Sequence, residues 1–255
     1  MLKPQKPRKK TCHIRTFTHR PSYWLRKGGS VGVVDPKESP AMQIHKGAWT
    51  IAQHIAGWWH QNLKIINKKS EMIPLVANKQ QLDLLYYAAR CIYQHKPVRI
   101  IVLKARRMGI STGIQALQFY TAWHQKYTKG LTAAHKTDAT ATMWNMAQLF
   151  KDEHPDKDKQ PLARSNTKEL VFAAPQRSTM RFLTGGVGDL ARSEEVHFLH
   201  LSEVAYMPDA KTTVASVMKA VSKNPNTFAF KESTANGASG QFYEDRTAAV
   251  VALDR

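Results

Sequence analysis

The sequence holds few cysteines and no long apolar run, and each shortage excludes a class of protein. Only Cys12 and Cys91 occur among 255 residues, without paired Cys/His spacing, which argues against a disulfide scaffold and a structural zinc site. No run approaches the roughly 18 apolar residues of a membrane helix. The basic N-terminus is not followed by the apolar stretch of a signal peptide. The sequence therefore predicts an intracellular, soluble protein that does not use a membrane.

Acidic residues are also scarce, with 19 Asp and Glu against 38 Lys and Arg, for a net charge of +19. Such an excess favours an acidic polymer as partner, and nucleic acid is the first to consider. The charge is uneven, because residues 1–70 carry +12 and residues 71–255 carry +7. We therefore predict a division near residue 70, with a basic N-terminal arm, linker and amphipathic helix before it. The 42% apolar composition supplies a core for the domain over 71–255.

The predicted amphipathic helix covers residues 46–63. Its apolar residues recur at helical spacing: Trp49, Ala52, Ala56, Trp59 and Leu63. The preceding residues 28–40 have the Gly, Ser and Pro content of a linker. The tryptophan face either packs on the following domain or docks a partner protein, and the sequence leaves both interpretations open.

From residue 71 onward, predicted strands alternate with predicted helices. Residues 99–103 form an apolar, β-branched run typical of a strand buried on both faces of a parallel sheet. A helix is predicted after Gly109, and a second one, capped by Thr137 and Asp138, through residue 150. Further strands are predicted at residues 131–134, 170–173, 179–183, 196–201 and 227–230, with the second and third of these forming a hairpin. The fold class is α/β with a mostly parallel sheet.

The segment KARRMGIST, residues 104–112, resembles a phosphate-binding P-loop that has lost its standard form. Gly109, Ser111 and Thr112 fit GxxxxGK[ST], whereas Lys104 stands at the first glycine and Ile110 at the lysine. A P-loop folds back on itself, so an ammonium at position 104 could reach the same phosphate. The helix after Gly109 would offer backbone N–H groups to phosphates, and the Ser111 hydroxyl would bind Mg²⁺. A basic strand-to-helix turn is the alternative.

Two later strands also end in polar residues. The run HFLHL at 197–201 precedes Ser202 and Glu203, which suits a Walker B strand placed next to the first loop. Ser202 could bind Mg²⁺ directly or through water, and Glu203 could polarise the attacking water, although a helix cap is the alternative for this pair. The third strand ends in ESTANG at 232–237. The eleven histidines show no metal-ligand spacing.

The order and spacing of KARRMGIST, FLHLSEVAYM and ESTANG resemble the ATPase motor domain of the large terminase subunit of tailed bacteriophages or prophages, over about residues 71–245. The resemblance implies a P-loop NTPase fold of the ASCE type that uses ATP and Mg²⁺ to drive double-stranded DNA through a portal into a procapsid. It implies a portal protein, a small terminase subunit and further copies in a ring as partners, with a monomer in isolation. The implied location is the cytoplasm of an infected or lysogenic bacterial host.

The resemblance also implies individual roles. Lys104 matches a Walker A lysine displaced to the start of the loop, and Gln81, or alternatively Gln80, matches an adenine-side glutamine. The implied catalytic residues are Glu203, Arg106 and Arg192, of which Arg192 acts on the neighbouring subunit's ATP. The implied ATP-binding set is Gln81, Lys104, Ala105, Arg107, Met108, Gly109, Ile110, Ser111 and Thr112. Ser233, Thr234 and Asn236 match the coupling motif, and Ser202 departs from the usual Walker B aspartate.

Large terminases normally continue into a nuclease domain, whereas this sequence stops at Arg255. We therefore expect no DNA cleavage by this chain alone. Two other functions stay open from the sequence. One is a helicase-like nucleic-acid translocase, and the other is a basic DNA-binding assembly module whose altered P-loop no longer hydrolyses ATP.

Overall fold

The computed structural model describes residues 39–185 and 195–253, and side chains up to residue 249. Within these ranges the chain forms six α-helices and nine strands. The helices are α1 (Pro40–Asn62), α2 (Lys79–Tyr93), α3 (Ile110–His124), α4 (Thr137–Asp152), α5 (Ala210–Ala220) and α6 (Gln241–Leu253). The strands are β1 (Lys64–Ile66), β2 (Met72–Pro74), β3 (Val98–Leu103), β4 (Lys129–Ala134), β5 (Leu162–Asn166), β6 (Glu169–Phe172), β7 (Thr179–Thr184), β8 (Phe198–Ser202) and β9 (Phe228–Ser233).

Seven strands form one mixed sheet in the order β3-β9-β8-β4-β7-β6-β5, and β1 and β2 form a separate hairpin. The first five strands of that order run parallel, and β6 and β5 follow antiparallel. The predicted α/β fold with a mostly parallel sheet is confirmed, and so is the hairpin of β6 and β7. The five parallel strands place their carboxyl ends on one edge of the sheet.

Helices cover both faces of the sheet, because alternate residues of each strand point to opposite sides. Helices α1 to α4 share one hydrophobic core with Phe198, Phe228 and Phe230. The opposite core contains Leu199 and Leu201 together with residues of α5 and α6. The sheet is therefore a middle layer, and its loops at the carboxyl edge are held between two packed layers.

Helix α1 packs on the rest of the domain. It begins at Pro40, six residues earlier than predicted, and the side chain of Ser39 accepts a hydrogen bond from the Met42 amide at 3.3 Å. Ala52 and Trp59 are fully buried in the core shared with α2 and α3. Of the two interpretations of the tryptophan face, the structure supports packing on the following domain. The division of the chain near residue 70 into a basic N-terminal part and a following domain stays a prediction.

Two local expectations were wrong, and the position of one strand was not predicted: β9 pairs with both β3 and β8 and lies between them. β3 is an edge strand of the described sheet, so only its alternate residues are fully buried. Helix α4 has Lys136 at its N-cap, without a capping hydrogen bond from a described side chain, instead of the predicted Thr137 and Asp138 cap. Strand order and edge position depend on contacts between distant segments, which local sequence patterns do not encode.

No helix within residues 39–185 and 195–253 is long and apolar enough to cross a membrane.

Candidate functional site

The loop between β3 and α3 gives the site its first wall. Gly109 is the N-cap of α3 in the left-handed conformation, with φ +73°, and no described side chain caps the helix. The first-turn N–H groups therefore point to the carboxyl edge without a side-chain acceptor. Ile110, at the position of the standard P-loop lysine, is buried in the core under the sheet. A lysine ammonium at that position would be placed in apolar surroundings, which accounts for an apolar residue there.

Helix α2 fixes the shape of this loop. The side-chain amide of Asn78 donates to the backbone carbonyl of Met108 at 3.1 Å, and the side-chain amide of Gln81 donates to the backbone carbonyl of Gly109 at 2.8 Å. Asn78 and Gln81 also form the capping box of α2. A Cβ at Gly109 would lie 3.0 Å from the Gln81 amide nitrogen, so glycine suits both the close contact and the positive φ. Gln81 is thus placed against the loop over residues 104–112, and its contact with adenine stays a prediction.

Lys104 lies at the centre of the site. Its ammonium is 3.2 Å from a Glu203 carboxylate oxygen and 2.7 Å from a Glu232 carboxylate oxygen, and it donates to the Ser111 hydroxyl at 3.0 Å. Burial lowers the pKa of Lys104, but the charges and hydrogen bonds of Glu232 and then Glu203 raise it by more. The pKa of Lys104 therefore lies above its ordinary value, and the ammonium stays charged at neutral pH.

Glu232 is the functional candidate that sequence reasoning missed. Its side chain is fully buried at the end of β9. One carboxylate oxygen, Oε1, accepts hydrogen bonds from Ser111 at 2.7 Å and from Ser202 at 2.8 Å. Burial raises the pKa of Glu232, but hydrogen bonds and charges from His200 and Lys104 outweigh it and lower the pKa to about 2. Its position as the first polar residue of ESTANG was the available signal.

A buried polar chain lies behind Glu232. The Gln115 amide nitrogen is 2.8 Å from His200 Nδ1 and donates to the Thr132 hydroxyl at 2.8 Å. Because an ionised carboxylate only accepts hydrogen bonds, Nε2 of His200 carries a proton and donates to Glu232 Oε1 at 3.2 Å. These contacts hold His200, and through it the Glu232 carboxylate, in a fixed orientation.

Glu203 connects the end of β8 to the residues after β9. It adopts φ +55° at the start of a short turn, Val204–Tyr206, and no described contact shows its side chain capping that turn. One of its carboxylate oxygens, Oε2, instead accepts from the Thr234 N–H at 3.1 Å, the Thr234 hydroxyl at 3.1 Å and the Ser233 hydroxyl at 3.3 Å. Asn236 donates to the carbonyl of Ala205 at 2.8 Å. Glu203 is therefore in direct contact with two of the predicted coupling residues, Ser233 and Thr234, whereas Asn236 contacts the backbone next to it.

The remaining predicted residues lie around this cluster. Ala105, Arg106 and Arg107 are exposed on the loop, and Arg107 adopts φ +62°. The sulfur of Met108 accepts from the Ala105 N–H at 3.1 Å, which closes the loop on itself. Thr112 is half-buried in the first turn of α3. Arg192 lies outside the described residues.

The fold resembles solved structures of phage proteins. The chain superposes on the large terminase of bacteriophage HK97 with a TM-score of 0.61 and 14% identity, covering 80% of this chain and 42% of that one. It also matches the large terminase of a thermophilic bacteriophage, solved in complex with ADP, with a TM-score of 0.51 and 13% identity, covering 67% and 42%. The fold is that of phage large terminases.

The chain spans about two fifths of the length of the two large terminases that it matches. No protein-family model and no curated protein sequence matches it.

Proposed function

We propose that this chain is the ATP-hydrolysing motor of viral DNA packaging and moves double-stranded DNA into a procapsid. The observation that supports it best is the contact of Lys104 with Glu203, Glu232 and Ser111. These side chains come from three parallel strands and the start of α3, and they meet where ligands bind in open α/β sheets. The terminase fold makes DNA packaging the favoured use of such a nucleotide site.

The residues present fit a bound magnesium nucleotide. Phosphate oxygens need N–H donors and a cation, and the uncapped start of α3 and the Lys104 ammonium provide both. Magnesium prefers oxygen ligands, and the Ser111 hydroxyl lies 2.7 Å from a carboxylate oxygen. When bound, Mg²⁺ would neutralise phosphate charge and polarise the terminal phosphoryl group. Lys104 would then exchange part of its contact with the two carboxylates for phosphate oxygens.

Glu203 is the group best placed to accept a proton from the attacking water. Three hydrogen bonds from Ser233 and Thr234 fix one of its oxygens, which leaves the other to face Lys104 and the P-loop. A base held in this way has one orientation toward a water near the terminal phosphate. The same hydrogen bonds would report the loss of that phosphate to the coupling residues.

The remaining parts of the proposal concern partners. Double-stranded DNA accounts for the net charge of +19. By resemblance, a portal protein, a small terminase subunit and further copies of this chain in a ring would complete the motor, inside the cytoplasm of an infected or lysogenic bacterium.

Glu203→Gln tests the proposed reaction. Glutamine keeps the size and hydrogen-bonding capacity of the side chain but cannot take a proton. ATP turnover, measured with and without double-stranded DNA, should fall by about 10²-fold or more, while nucleotide binding persists. Glu244→Gln is the matched control, because Glu244 is exposed on α6.

Two outcomes would contradict the prediction. Loss of binding together with turnover would give Glu203 a structural role instead. An inactive wild-type chain, at concentrations at which it binds nucleotide and DNA, would favour the non-hydrolysing DNA-binding module.

The basic arm gives a separate prediction about DNA. Residues 1–30 carry nine positive charges and no negative one, so their deletion should weaken DNA binding. The slope of log affinity against log salt should become shallower by about 0.9 for each phosphate that the arm no longer neutralises. A variant with these nine Lys and Arg residues changed to Gln keeps the length and should match the deletion. An unchanged slope would instead assign the arm to a protein partner.

A further inference from the structure

Position 202 lacks the carboxylate that a Walker B strand normally provides. Ser202 ends β8, and its hydroxyl donates to Glu232 Oε1 at 2.8 Å. The Ser111 hydroxyl at the start of α3 donates to the same oxygen at 2.7 Å. A carboxylate therefore does lie beside the P-loop hydroxyl, but it comes from the neighbouring strand.

The sheet register explains how Glu232 reaches this place. Ser202 and Glu232 are paired across the parallel strands β8 and β9, and Glu232 is paired with Val102 on the other side. Paired residues on adjacent strands lie about 4.8 Å apart. A glutamate has one methylene more than an aspartate, and this added reach lets its carboxylate lie beside Ser202 and Ser111.

The surroundings of Glu232 favour a role toward a cation. The side chain is fully buried, and its other oxygen, Oε2, contacts only the Lys104 ammonium among the described residues. If Lys104 turns to a phosphate, this oxygen loses its counter-charge. Glu232 and Glu203 together would then repel a bare nucleotide, and a divalent cation between carboxylate and phosphate removes that repulsion.

We propose that Glu232, on β9, is the carboxylate that holds the magnesium ion of bound nucleotide in this chain, in place of an aspartate at position 202. The inference rests on the proposed function, since it takes a magnesium nucleotide as the ligand. Ser111 is the hydroxyl that shares the ion. Ser202 is a positioning residue that orients Glu232 through its hydrogen bond. Magnesium sites of nucleotide enzymes commonly use one or two carboxylates together with substrate phosphates, as this arrangement provides.

The test compares the affinity of the full chain for ADP with Mg²⁺ and with EDTA, by titration calorimetry. Wild type should bind magnesium ADP at least about tenfold more tightly than ADP in EDTA, and Glu232→Gln should bring this ratio close to one. Adding Ser202→Asp to Glu232→Gln returns a carboxylate from β8 and should restore the ratio. Ser202→Ala removes only the orienting hydrogen bond and should keep the ratio within about threefold of wild type.

The outcomes separate this inference from the proposed function. A Glu232→Gln chain that keeps the wild-type ratio overturns the inference and leaves nucleotide binding intact. Should Glu232→Gln fail to fold, as judged by its melting curve, Ser202→Ala decides, because loss of the magnesium ratio in that variant assigns the ion to Ser202. A wild-type chain that binds no ADP in either condition contradicts the proposed function and, with it, the inference.

Discussion

Lys104→Ala is expected to reduce ATP turnover to background and to remove measurable nucleotide binding. The physical reason is that the standard lysine position holds Ile110, which is buried in the core. Lys104 is the lysine of the loop that can replace the standard one, and its ammonium already contacts both carboxylates of the site. Lys96→Ala is the control, because Lys96 precedes the same strand but its ammonium contacts the side-chain oxygen of Gln94, at 3.5 Å, instead of the carboxylates of the site. It should leave binding and turnover at wild-type values.

The removal of Lys104 also affects folding, and the experiment must separate the two effects. The change leaves the Glu232 carboxylate buried without its ion-pair partner, which costs about 3 kcal/mol, at the low end for a buried pair because Lys104 reaches solvent. The double variant Lys104→Ala with Glu232→Gln removes the unpaired charge. It should regain thermal stability without regaining turnover. Wild-type affinity and rate in a folded Lys104→Ala chain would contradict the assigned role.

Arg192→Ala is expected to cost about 10³–10⁵-fold in ATP turnover, the usual contribution of an arginine that reaches a transferring phosphoryl group. The prediction rests on the terminase resemblance and on the glycines that precede Arg192, namely Gly185, Gly186 and Gly188. The competing role is a surface ion pair with Glu194 or Glu195, worth under about 1 kcal/mol. Arg90→Ala, on the exposed side of α2, is the matched arginine control.

Mixing inactive chains decides whether Arg192 acts between subunits. A ring containing Arg192→Ala and Glu203→Gln subunits has some interfaces where an intact arginine meets an intact base. Such mixtures should regain ATP turnover, and wild-type specific activity should rise with concentration as rings assemble. No recovery in mixtures shown to co-assemble would contradict a role in trans and would favour the ion pair.

Much of the fold follows from local pattern. The β-branched run at 99–103, the glycine at 109 and the later apolar runs each place a strand or a helix start within a few residues of its observed bounds. These features depend on backbone preference and burial, which neighbouring residues encode. The strand order does not follow from local pattern, and the position of β9 between β3 and β8 was not predicted.

Most of the candidate site could also be predicted from local sequence pattern. The part that could not depends on which strands are neighbours in the sheet. Lys104, Ser111, Ser202 and Glu203 were found from their places at strand ends and in the loop, and the structure brings them together. Glu232 was missed as an individual residue, because its importance arises from pairing with Ser202 across β8 and β9. His200 was counted only as a non-ligand, since the sequence does not reveal the carboxylate above it.

The contacts between the segments that follow β8 and β9 have a mechanical consequence. The Ala205 N–H donates to the Ser233 hydroxyl at 3.2 Å, and the Tyr206 hydroxyl donates to the carbonyl of Ala235 at 3.0 Å. With the bonds from Thr234 to Glu203 and from Asn236 to Ala205, they join the two segments at several points. A displacement of Glu203 would therefore move the two segments together, and residues 237–240 connect them to helix α6, which begins at Gln241.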